Sequence, residues 1–125
     1  MEDIQLKWTA KTPNVECRSD GYIRIEGQSI PENALEFYEP INRWVDEYAK
    51  SCNGPLAVAI SLDYYNSSTS KCLLTFLKKL TELWDAGRKV SVVWFYAVND
   101  EDMHEEIKTY QTIVRVPIRM EPYEG

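Results

Sequence analysis

The sequence predicts an α/β domain on a mixed sheet, with an N-terminal antiparallel hairpin followed by parallel crossovers through helices. Three observations carry that expectation. Two apolar runs containing Val or Ile, 56–62 and 90–96, read as buried strands, the first of them parallel. Between them lies a long stretch with apolar residues at helical spacing. Before them, Ser19-Asp20-Gly21 separates two alternating runs, and Asp-Gly in that position signals a hairpin. Strands alternating with helices define the α/β class. At 125 residues the chain reads as one domain, 1–125, large enough to bury its own core.

In chain order, Ile4, Leu6 and Trp8 alternate with Gln5 and Lys7 and give a short first strand. Val15 to Cys17 and Tyr22 to Glu26 form the hairpin, with Ile23 and Ile25 on one face. Asn33 followed by Glu36 fits a capping box, and Tyr38, Ile41, Val45 and Tyr48 recur at helical spacing. Pro40 removes a backbone donor inside that stretch. The expectation is therefore a short turn from Asn33, a break, and a main helix with Pro40 near its first position, ended by Asn53-Gly54-Pro55. From Thr69 to Ala86, the residues Cys72, Leu73, Phe76, Leu77, Leu80, Leu83 and Trp84 form a wide apolar stripe, and Gly87 stops the helix. Asp100 can cap a third helix with Met103, Ile107 and Tyr110 on one face. Val114, Val116, Ile118 and Met120 alternate with Arg115, Pro117 and Arg119, and the proline suggests an edge strand.

Composition excludes several classes. Twenty acidic against 14 basic side chains give a formal charge of −6, which argues against nucleic acid or an anionic membrane as main partner. No apolar run approaches the ~20 residues that span a bilayer. Met1-Glu2-Asp3-Ile4 has neither a basic region nor an apolar signal core, so a cytoplasmic location is expected. Cys17, Cys52 and Cys72 show no paired spacing, as in a reduced protein. With one His and no metal-ligand spacing, neither a metal nor a cofactor is expected, and an enzyme finds little support.

The densest chemistry lies at the junction Asp63-Tyr64-Tyr65-Asn66-Ser67-Ser68-Thr69-Ser70-Lys71. Four consecutive hydroxyl residues stand between a strand and a helix, where one cap would suffice. A helix start also offers free N–H groups and a positive dipole end, which suit an anion. Lys71 sits in the first turn, where a cation is disfavoured by ~0.3–1 kcal/mol. A phosphate on a neighbouring hydroxyl would turn that charge into a favourable pair. Two plainer readings stand beside this one. Ser67 or Ser68 caps the helix and the other hydroxyls are solvated, or the junction binds a nucleotide or small ligand. The loop lacks the glycines of a phosphate cradle.

Elsewhere, Asp63 at a strand end lacks a visible partner base. His104 among Asp100, Glu101, Asp102, Glu105 and Glu106 reads as an ordinary acidic helix start. Cys72 lies on the apolar stripe and is expected to pack. Trp94 and Phe95 are assigned to the core, while Tyr96 near the strand end can reach a partner.

The ordered combination of Ser29-Ile30-Pro31-Glu32-Asn33, the junction, Trp94-Phe95-Tyr96 and Asp100-Glu101-Asp102-Met103 resembles the SiaC-type regulatory phosphoproteins over most of the chain. The resemblance implies a STAS-like fold, similar to that of anti-sigma-factor antagonists. It implies a non-enzymatic adaptor, switched by a Ser/Thr kinase and a PP2C-type phosphatase. The unphosphorylated form would bind an effector, in the best-known system a diguanylate cyclase. The family's acceptor follows the Asn of the junction, which is Ser67 here, with Ser68, Thr69 and Ser70 as neighbouring candidates. Tyr65, Asn66, Ser67, Ser68, Lys71, Glu32, Asn33 and Tyr96 are the implied partner-binding residues.

Overall fold

The computed structural model describes residues 1–124. Six strands, β1 (Ile4–Leu6), β2 (Asn14–Arg18), β3 (Tyr22–Ser29), β4 (Leu56–Tyr65), β5 (Val90–Ala97) and β6 (Ile118–Tyr123), form one sheet in sequential order. The first three pair antiparallel and the last four parallel. The parallel crossovers run through α1 (Ala34–Ser51), α2 (Ser67–Asp85) and α3 (Glu101–Ile113). Each connects adjacent strands in the same direction, so the right-handed rule puts all three helices on one face.

The hairpin turn depends on Gly21, whose φ of +101° lies in the left-handed region. A Cβ there would also collide with the Pro55 carbonyl. The expected edge strand is shorter than its alternation suggested. Val114 is the C-cap of α3, Val116 packs from the following loop, and β6 begins only at Ile118. Trp8 lies outside β1 and is 68% exposed.

Two expectations need correction. The segment from Asn33 to Ser51 is one capped helix with Pro40 inside it. Tyr38 precedes the proline, and Ile41, Trp44, Val45 and Tyr48 follow it, all buried in one stripe. Continuous burial of that stripe outweighs the single lost backbone bond and the proline's steric penalty. The second correction concerns β4 and β5, whose runs are covered on one face only. Leu56, Val58, Ile60 and Leu62, with Val90, Val92 and Trp94, point into the helix layer and are almost fully buried. Ala57, Ala59, Ser61, Ser91, Val93 and Phe95 alternate with them on the open face. Phe95 is therefore half-buried, outside the core that Trp94 joins.

The β4 alternation changes phase near its end. Gly27 pairs with Leu62, but the next residue of β3, Gln28, pairs with Tyr64, so Asp63 is the extra residue of a bulge. Up to Leu62 the even positions face the helices; beyond the bulge Tyr65 does, beside buried Ser29.

Candidate functional site

The junction sits at the carboxyl ends of the parallel strands, where β4 hands over to α2. Asn66 is the N-cap, and its side chain accepts from the Thr69 N–H at 2.9 Å. The helix thus begins two residues earlier than its apolar stripe suggested, and neither Ser67 nor Ser68 caps it. Asn carries out that role through its side-chain carbonyl. The four hydroxyls that look equivalent in sequence then divide sharply. Ser67 and Ser68 are exposed, Ser70 is half-buried and Thr69 is 0% exposed.

Thr69 and Ser70 are each held by other elements. Thr69 Oγ1 donates to the Ser29 carbonyl at 3.1 Å and lies 3.0 Å from Ser29 Oγ, which in turn lies 2.8 Å from Tyr38 Oη. Since Thr69 has one hydroxyl proton, Ser29 Oγ donates to Thr69 and Tyr38 donates to Ser29. Burial pushes the Tyr38 phenol well above its ordinary pKa, so it remains a donor at neutral pH. The Asn66 N–H also donates to the Ser29 carbonyl, at 3.2 Å. Ser29, the last residue of β3, thus holds both the cap and the first turn of α2. Asn33 is occupied as the cap of α1, accepting from the Glu36 N–H at 3.1 Å, and exposed Glu32 pairs with Lys11 at 3.1 Å.

On the other side, Tyr110 Oη donates to the Ser70 carbonyl at 3.2 Å and accepts from Ser70 Oγ at 2.8 Å. The Tyr110 ring stacks on Trp94 with centroids 5.3 Å apart. Tyr65, re-aimed by the bulge at Asp63, donates to Glu106 Oε1 at 3.0 Å. Burial first, then Tyr110 and Glu106, push the Tyr65 phenol far above its ordinary pKa. Tyr65 and Glu106 thus tie α3 to the end of β4, and Tyr110 ties it to the start of α2. The sequence reading named only Tyr65 as a site residue, and the pairing depends on a bulge that no local residue pattern announces.

Lys71 is exposed in the first turn, which contains no acidic residue. Tyr96 is half-buried on the helix side, with its ring 5.5 Å from that of His104, so it packs under α3. Asp63 is exposed and accepts from Tyr123 Oη at 3.3 Å. Cys72 packs in the core as expected. Among the described residues no group of three or more His, Cys, Asp or Glu could hold a metal ion. No described helix is long and apolar enough to cross a membrane.

The site thus brings together two exposed hydroxyls, Ser67 and Ser68, and a helix start held by Asn66, Ser29 and Tyr110. Comparison with known proteins gives the family. The sequence model described as SiaC family regulatory phosphoprotein matches residues 6–123, and the chain belongs to that family. An uncharacterized protein of Pseudomonas aeruginosa (strain UCBPP-PA14) is 26% identical over 125 residues, 99% of each chain. Apo-SiaC from Pseudomonas aeruginosa superposes with a TM-score of 0.89 at 26% identity, covering 97% of this chain and 99% of that one. The crystal structure of diguanylate cyclase SiaD in complex with its activator SiaC, also from Pseudomonas aeruginosa, contains a chain with a TM-score of 0.92 at 26% identity, covering 97% of this chain and 100% of that one.

Proposed function

We propose that this chain is a phosphorylation-controlled adaptor in the cytoplasm, acting as one domain and without catalytic activity of its own. In its unphosphorylated form it binds and activates a diguanylate cyclase. A Ser/Thr kinase adds phosphate at Ser67 and a PP2C-type phosphatase removes it. The observation that carries this reading is the exposure of Ser67 directly after the Asn66 cap, in a chain of the SiaC family. Thr69 is a poor acceptor in the folded state, because its hydroxyl is buried and bonded to Ser29. Ser70 is engaged by Tyr110. The relative that activates a diguanylate cyclase supports the effector class. The partner surface then centres on Ser67, Ser68 and Lys71, with Tyr65 and Asn66 holding the turn from beneath and Glu32 and Asn33 on the α1 side.

The test is a binding titration of full-length chain against a diguanylate cyclase of the SiaD type, with cyclase activity as second readout. Unmodified protein should bind and activate. Protein carrying phosphoserine at Ser67 should do neither. Absence of binding by unmodified protein would refute the effector class, and equal binding by both forms would refute the switch.

A further inference from the structure

Ser67 and Ser68 are both exposed, but they leave α2 in different directions. At about 100° per residue, Ser67 projects about 60° from Ser70 and Ser68 about 160° from it. Ser70 is the residue that touches α3, through Tyr110. Ser67 therefore leans towards α3, and Ser68 leans away from it. As crossover helices between parallel strands, α2 and α3 run in the same direction. Ser67 precedes Ser70 by about 4.5 Å of helical rise, and Glu106 precedes Tyr110 by about 6 Å, so the two stand nearly level. Glu106 cannot swing freely, because Tyr65 holds its carboxylate at 3.0 Å.

We infer that Glu106, positioned by Tyr65, is a fixed opposing charge to phosphate on Ser67 and biases the switch towards its unphosphorylated form. The inference rests on the proposed role of Ser67. The groups around that position are Tyr65 from β4, Lys71 one turn on in α2, and Glu106 and Tyr110 from α3. Lys71 attracts a phosphate and Glu106 repels it. A neighbouring carboxylate makes the second ionisation of the phosphate harder, so its second proton is retained to higher pH. On Ser68 the same phosphate would feel Glu106 much less.

The experiment uses the full-length chain with phosphoserine installed genetically at position 67 or, separately, 68, and follows the phosphorus-31 shift against pH. An unperturbed phosphoserine titrates near about 6. Replacing Glu106→Gln should lower the midpoint at position 67 by about 0.3–0.5 pH unit, the effect of one charge roughly 6–9 Å away through water, and leave position 68 nearly unmoved. Glu106→Lys should lower it further and provides a second variant. An unchanged midpoint at 67, or equal shifts at 67 and 68, would overturn the inference. Because the phosphate is installed without a kinase, the titration reads the charge geometry independently. A cognate kinase that leaves Ser67 untouched would instead overturn the assignment of Ser67, and with it the regulatory meaning of Glu106.

Discussion

Thr69 hangs from the last residue of β3: its hydroxyl donates to the Ser29 carbonyl at 3.1 Å and receives Ser29 Oγ at 3.0 Å. This pair ties the first turn of α2 to the sheet, and Tyr38 extends the tie to α1. The start of α2 is thus set by long-range contacts as well as by its own cap. Thr69→Val keeps the shape and removes the hydroxyl, leaving the Ser29 groups short of a partner in a buried place. Urea unfolding should show a loss of about 1–3 kcal/mol. Stability equal to wild type would mean that the hydroxyl chain contributes nothing.

Pro40 lies within α1, where it deprives the Glu36 carbonyl of its helical donor. The buried residues on both sides keep the helix continuous, so an alanine fits the same backbone. Pro40→Ala should stabilise the protein, by about 1–3 kcal/mol in chemical denaturation, the interior proline penalty less the entropy regained by the unfolded chain. A destabilised variant would show that the proline ring packs better than its backbone costs.

Leu77 is 0% exposed, in the same stripe as Leu73, Phe76 and Leu80. Leu77→Ala should cost about 2–5 kcal/mol, through lost transfer energy and the cavity left behind. A change below the lower figure would mean that the space under α2 collapses around the smaller side chain.

Much of this architecture was legible because periodicity is a property of neighbouring residues. The stripe from Cys72 to Leu80 and the alternation of Ile23 and Ile25 show burial directly. The errors arose where distant contacts decide. Pro40 looked like a break because its local penalty is visible in the sequence, whereas the joint burial of Tyr38 and Ile41 is not. The four hydroxyls looked equivalent because only Ser29 and Tyr110, each 40 residues from its partner, separate Thr69 and Ser70 from Ser67. The one-sided covering of β4 was hidden by Ala57 and Ala59, which are apolar enough to read as core and small enough to stand on an open face.

The switch gives the last prediction. Ser67 opens α2 on a turn held by Asn66, Ser29 and Tyr110, so a phosphate there need not refold the domain. It adds about 1.5–2 negative charges to the centre of the proposed partner surface. A partner covering that turn would have to desolvate a charge that the single cation Lys71 offsets only in part, which costs several kcal/mol. A loss of even ~2.8 kcal/mol weakens binding about a hundredfold. Ser67→Ala should therefore resist the kinase and bind the cyclase constitutively. Ser67→Asp, with one charge in place of the phosphate's larger one, should weaken binding less than phosphoserine does. Intact-mass analysis after kinase treatment, followed by calorimetric titration of the cyclase, checks both halves. Full phosphorylation of Ser67→Ala would move the acceptor to Ser68, the other exposed hydroxyl of the turn. Undiminished binding by phosphorylated wild type would place the partner surface away from this junction altogether.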